Sequence, residues 1–302
     1  QGLHTVDEAI TILNPGNGWI QNCNSTPFTA AMNYSPKREE YPFYMAPDPE
    51  NFRAVHAAGL LKEAKDLTLG GLIELAHDSY LPAFEDVVPG LIEAYDAQQP
   101  DGDSLREAVE VMRNWDLRTG KESVAMSLAH FYGIEIIRNA EYPDNVRGLM
   151  DEFKWFGTES PYESRIELFR NTMERLQDDF GSWNTTWGEI NRFQRLTGDM
   201  QSIFDDSKPS IPVGFTTGRW GALAAYGARA AENTKRIYGY RGNSFVAAVE
   251  FGDSLKAKSI LAGGQSNDPD SPHFFDQAQM YADAEWKDVL FYRKDVEGNA
   301  RE

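Results

Sequence analysis

Asn22 and Asn24, separated by a single cysteine, are the side chains in this sequence best suited to chemistry. A carboxamide N–H is a neutral donor for an oxygen that turns negative during acyl transfer. The two lie within Ile12–Pro27, which reads as a Pro15-Gly16 turn, one short buried strand and a second turn at Ser25-Thr26-Pro27. Side chains alternate along a strand, so Ile20, Asn22 and Asn24 are expected on one face and Trp19, Gln21 and Cys23 on the other. Carboxamides on the inner side of an apolar strand are costly unless partnered. The plainer alternative is that each Asn bonds backbone close by. Cys23 is the one cysteine, so no internal disulfide can form. It faces away from the Asn pair and reads as a small buried thiol rather than a nucleophile.

The elements that would hold these groups follow along the chain. Residues 1–47 read as a strand-and-turn segment, with Tyr34, Tyr41, Phe43 and Tyr44 as aromatic anchors among Pro36, Pro42 and Pro47. Asp48-Pro49-Glu50 has the composition of a helix start. Arg53 falls in that helix; its guanidinium fork suits orienting a carboxamide or carboxylate, and its alternative is an ion pair with Glu50. Residues 48–208 are spaced for helices, with Thr68 as a cap and Ser160-Pro161-Tyr162-Glu163 and Thr186-Trp187-Gly188-Glu189 as capping boxes. Pro89 must kink or restart its helix. Residues 209–302 carry the strands: Phe245, Ala247, Val249 and Phe251 share a face, the Gly252-Asp253-Ser254 turn follows, and Lys256–Leu261 alternates again. The expected class is therefore α+β, with strand-rich ends meeting in one sheet system and a mainly helical insertion between them.

Other chemistries find little to work with. The 302 residues, 41% hydrophobic and 25% charged, are globular in composition. A net charge of −18 repels phosphate backbones, so no nucleic-acid partner is expected. The most apolar run, Gly221–Ala231, is short and interrupted by Arg229, so no membrane partner is expected either. His4, His56, His77, His130 and His273 form no zinc pattern; His56 reads as a capped or core histidine, and His77 as a cation at a helix end. There is no G-x-S-x-G, S-x-x-K, G-x-G-x-x-G or Walker motif. A sugar-cleaving carboxylate pair is conceivable, but nothing picks the pair. A non-catalytic helical scaffold or binding module remains the alternative.

Asn14-Pro15, Gly18-Trp19-Ile20 and Asn22-Cys23-Asn24-Ser25-Thr26-Pro27 resemble the "NP…GyI.n.Nn.P" segment of the penicillin acylase family of N-terminal nucleophile hydrolases. The family resemblance continues, in order, through Asn51-Phe52-Arg53-Ala54, Trp115-Asp116, Gly263-Gly264-Gln265-Ser266, Ser271-Pro272-His273 and Asp276-Gln277. It implies an αββα sandwich and hydrolysis of linear amides by a serine that opens the β-chain and uses its own α-amine as base. It also implies Asn24 as a side-chain donor to the oxyanion hole and Arg53 as the holder of the active-site polar network. Gln1 stands where the interior of a β-chain is expected. The chain is thus expected to be a processed product or an excised segment, inert by itself, partnered by the remainder of the acylase and a small-molecule amide. Export to the periplasm or beyond is expected on the same ground. Some relatives bind calcium through an Asp after the Asn motif; this loop offers Glu39 and Glu40 and no Asp before Asp48, so no cofactor and no metal ligand is assigned.

Overall fold

The computed structural model describes residues 2–300. Its class is α+β, as expected. Residues 2–51 hold five single-turn 3-10 segments and no paired strand. Then come α1 (Phe52–Glu63), α2 (Leu69–Ala76), α3 (Val87–Gln98), α4 (Asp103–Arg113), α5 (Val124–Asn139), α6 (Leu149–Thr158), α7 (Tyr162–Phe180) and the short α8 (Trp187–Ile190). The sheets follow: β1 (Asn191–Phe193), β2 (Ile211–Pro212), β3 (Tyr226–Arg229), β4 (Ile237–Gly242), β5 (Phe245–Glu250) and β6 (Lys256–Leu261). The chain ends in α9 (Ala278–Ala282), β7 (Lys287–Asp288) and α10 (Arg293–Asn299).

The helical core is built from α3 to α7. Leu105, Ala108, Val109 and Met112 are the buried face of α4, the i, i+3, i+4, i+7 pattern that the sequence carries. Pro89 neither kinks nor restarts α3, because it falls in the first turn, where no intrahelical acceptor awaits its missing N–H. Helices α3 and α6 cross at Gly90 and Gly157, where a side chain on Gly90 would run into the Gly157 carbonyl. The buried Arg165 ties the same region together, donating to Ser160 Oγ at 3.1 Å and Gly90 O at 3.2 Å. Ser160 is therefore not a helix cap; its own hydroxyl is committed to Phe156 O and to Arg165, and α7 starts from Pro161 without a side-chain cap. The Thr186 capping box does form.

One sheet runs β2-β1-β4-β3 and the other β5-β6-β7. Both come from residues 191–288. Within the first, β1 and β4 are parallel and the other pairs antiparallel. A small second core of Val213, Tyr226, Ile260 and Tyr281 joins the two sheets. The β5–β6 ladder has the expected pairing, Phe245 opposite Leu261 through Glu250 opposite Lys256. Its faces are not as the pattern suggests: Phe245, Val249 and Phe251 point outward and stay exposed, and Ala248 is the buried residue. Alternation fixes which residues share a face, not which face is covered.

The strand expected across Trp19–Asn24 does not form. No strand lies beside it among the described residues, and Asn24 has φ of +55°, which ends extended geometry. Gln21 N donates to Ala30 O instead, folding the segment back on its own 3-10 turn. The inward side chains here are Gln21, which is buried, and the half-buried Trp19 and Cys23; Asn22 and Asn24 are exposed. Both strand-bearing ends were expected, and only the C-terminal one carries strands.

Candidate active site

Asn24 is positioned first by a local turn. Asn22 Oδ1 accepts the Asn24 amide at 2.9 Å, an Asx turn that supports the left-handed conformation asparagine tolerates. Asn22 thus follows the plainer reading, bonding nearby backbone. Asn24 itself does not: its side chain is aimed at α1.

The N-terminus of α1 receives it. Asn51 caps the helix, its Oδ1 accepting Ala54 N at 3.1 Å, while its Nδ2 donates to Cys23 O at 3.1 Å and Asn24 O at 3.3 Å. Asp48-Pro49-Glu50 therefore precedes the helix rather than starting it, because Asn51 supplies the oxygen that satisfies the first free N–H groups. Glu50 is occupied by Thr29 Oγ1 and the Asn51 amide, so the alternative Arg53–Glu50 ion pair is not made.

Arg53 completes the arrangement. Its Nη2 donates to Cys23 O at 2.6 Å and to Asn24 Oδ1 at 2.8 Å. A guanidinium has donors only, so the Asn24 oxygen must be the atom that faces it. The Asn24 Nδ2 is thereby turned away from Arg53, and among the described residues it has no acceptor. Gly218 makes room for this: a Cβ there would stand 2.5 Å from Arg53 Cδ.

Asn24 lines a pocket of about 480 Å³. Asn24, Asn51 and Arg53 form one wall. Thr217 and Arg219, beside the 3-10 turn Gly218–Trp220, and Arg241 on β4 form the other, with Ala225, Gly227, Gly242 and Asn243 between them. The two sequence-predicted residues, Asn24 and Arg53, are thus in direct contact. Asn51, Arg219 and Arg241 were not singled out. Asn51 was visible as the residue before Phe52-Arg53; the two arginines, far along the chain, gave no local signal.

The remaining candidates lie elsewhere. The Cys23 thiol is pushed up by burial, with Glu50 adding to and Arg53 opposing that shift, so it is held protonated and makes a poor nucleophile. His56 is a core residue, bonded to Gly221 O at 2.8 Å and Asp78 Oδ1 at 3.1 Å. His77 does end α2, but not as a cation: burial lowers its pKa, and its Nε2 accepts the Trp286 indole at 3.1 Å. Among the described residues no three His, Cys, Asp or Glu side chains are placed to share a metal ion, and no helix is long and apolar enough to cross a membrane.

The family model described as penicillin amidase matches residues 1–298. A solved structure, the thermostable penicillin G acylase from Alcaligenes faecalis in orthorhombic form, is similar at 16% identity and a TM-score of 0.44. The match covers 83% of this chain and 51% of that one, so the chain spans about half the length of that solved relative.

Proposed function

The chain belongs to the penicillin amidase family; from that premise we propose that it is part of an acylase-type hydrolase and supplies the oxyanion-stabilising part of a site that cleaves linear amides, the attacking serine lying on polypeptide outside it. One observation carries this reading. Asn24 lines a pocket, its oxygen is held by a cation that can bind only that atom, and its Nδ2 is a donor without a protein acceptor among the described residues. In the proposed reaction the serine oxygen adds to the amide carbonyl, and Asn24 Nδ2 donates to the oxygen that becomes negative. Collapse of the tetrahedral intermediate expels the amine, and water then releases the acyl group from the serine.

Arg53 acts here through Asn24. It fixes the amide's orientation before substrate arrives, so little reorganisation is needed when charge develops. Its positive charge also favours the oxyanion over the neutral carbonyl. The remainder of the acylase and a small-molecule amide are the partners this reading requires.

The test is Asn24→Ala in the intact acylase. Loss of one oxyanion donor costs roughly 3–4 kcal/mol of transition-state stabilisation, a fall in kcat of about 10²- to 10³-fold. Asn24 is exposed, so the fold should stay intact, with a loss of about 1–2 kcal/mol because alanine is strained at a φ of +55°. Unaltered kcat in a folded variant would remove Asn24 from the mechanism.

A further inference from the structure

We propose that the cavity between the end of α5, the end of α6 and the first half of α7 binds a small organic cation, a substituted ammonium ion with an apolar body. The cavity lies in the helical region and shares no residue with the Asn24 pocket. The proposal therefore stands apart from the acylase reading.

An aromatic corner is the first observation. Helix α5 ends at Asn139, and Glu141-Tyr142-Pro143 leads the chain away from it. The half-buried rings of Tyr142 and Trp155 have centroids 5.8 Å apart and planes inclined at 66°, so they form adjoining walls rather than a stack. Both line a cavity of about 580 Å³, room enough for a small organic molecule. The Tyr142 hydroxyl is already used, donating to Ile136 O at 3.4 Å. Burial, with the Glu152 carboxylate adding to it, pushes its pKa up and keeps that proton in place. Its ring is then the part left for a ligand, and an aromatic face attracts a cation through its quadrupole.

Charge is the second. Among the described residues, the charged side chains lining the cavity are Glu141 and Glu167, with no Lys, Arg or His. Neither carboxylate has a hydrogen-bond donor or an ion-pair partner among the described residues. Carboxylates elsewhere are held by cations: Asp96 by Arg113, Asp78 by Arg118, Glu250 by Lys256. The side chains of Ser164 and Asn171 are likewise uncommitted among the described residues. Ser164, Glu167 and Asn171 recur three and four apart along α7, so they make one polar edge beside the buried Leu168.

These features together select the ligand. An anion would meet two carboxylates and no compensating charge. A metal ion would leave both rings idle, and no three His, Cys, Asp or Glu side chains are grouped to hold one among the described residues. A sugar could stack on the rings and bond Ser164 and Asn171, but it is neutral and gains nothing from the charge. A substituted ammonium ion uses both halves of the lining. Its methyl or methylene groups lie against Tyr142 and Trp155, and its charge lies toward Glu141 and Glu167. The net charge of −18 also draws cations to the surface from which the cavity opens.

The experiment is calorimetric titration of the intact protein with choline and with 3,3-dimethylbutan-1-ol, its neutral twin of the same shape, at matched ionic strength. Choline should bind roughly tenfold tighter than the alcohol. Trp155→Leu should weaken choline by about fivefold or more, whereas Trp155→Phe, which keeps a ring, should retain most of the affinity. Glu141→Gln/Glu167→Gln should weaken choline by roughly fivefold and leave the alcohol unchanged. Glu141 and Glu167 are exposed, so this pair folds and carries the test even where Trp155→Leu does not. Absence of choline binding overturns the proposal, as does equal affinity for the two twins. Choline binding that survives both the Trp155 and the Glu substitutions is diffuse attraction to the net charge and overturns it too. Cellobiose binding more tightly than choline makes this a sugar site and likewise overturns it.

Discussion

Helices α3 to α7 bury whole faces of Phe, Leu, Met and Ala, whereas residues 2–50 bury only Gln21, Ala30 and Ala31. The first region is held by apolar packing spread over five helices. The second is held by a few polar bonds to the start of α1, chiefly those from Asn51 and Arg53. Stability and the candidate chemistry are thus carried by different parts of the chain, and they meet at one helix terminus. A donor left without a protein acceptor can be kept exposed at such an edge; inside the bundle it would be a heavy penalty.

The contrast can be broken most directly by truncation in the apolar core that α3 to α7 enclose, at Phe84 just before α3. Phe84 is fully buried, with its ring against Trp115, Phe153 and Trp220. Phe84→Ala should cost about 3–5 kcal/mol in urea unfolding. Ile20→Ala, in the half-exposed N-terminal stretch, should stay within about 0.5 kcal/mol. Comparable losses from both would mean that the stretch shares the core's load.

Acid sensitivity should also belong to the bundle. His130 is enclosed by Trp187 and Trp220, and accepts the Trp220 indole on Nδ1 at 3.1 Å. Burial, with the positive charges of Arg175 and Arg219 adding to it, pushes its pKa down to about 3. The unfolded chain binds the proton near pH 6.5, so the contribution is intact above that pH and is lost as pH falls from about 6.5 toward 3. The total is on the order of a few kcal/mol. His130→Gln should flatten the dependence of urea midpoint on pH across that window; an unchanged slope would place the acid sensitivity elsewhere.

A smaller effect on stability than either core change sharpens the comparison where the regions join. Asn51→Ala removes a helix cap worth roughly 1 kcal/mol, a shift of a few degrees at most in a chain of this size. It also removes the Asn51 Nδ2 bonds to Cys23 O and Asn24 O and leaves only Arg53 on the segment, so kcat of the intact acylase should fall by more than that shift suggests. Asn51→Asp separates the two roles, because it keeps the oxygen for Ala54 N and loses the amide donor. Stability should return with it and activity should not.

Much of the helical region was legible because it is a local property. Burial at Leu105, Val109 and Met112 follows from spacing alone, and Thr68 and Thr186 cap where their side chains reach the next turn. Failures came where a residue had two available partners. Ser160 has the composition of a cap but bonds Phe156 O and Arg165, and Asp48 yields the cap to Asn51. The strand at Trp19–Asn24 failed for a related reason: a short apolar run becomes a strand only if another strand takes its hydrogen bonds.

By itself the sequence determined most of the helices, the β5–β6 ladder, the family, and the candidacy of Asn24 and Arg53, since each depends on spacing within a short stretch or on ordered motifs along the chain. Tertiary structure alone decided that Arg53 binds the oxygen and not the nitrogen of Asn24, that Asn51 clamps the segment, and that Arg219 and Arg241 face the same pocket. Those facts join residues up to about two hundred positions apart through hydrogen bonds and a shared cavity, and no periodicity records which distant side chain will arrive beside which.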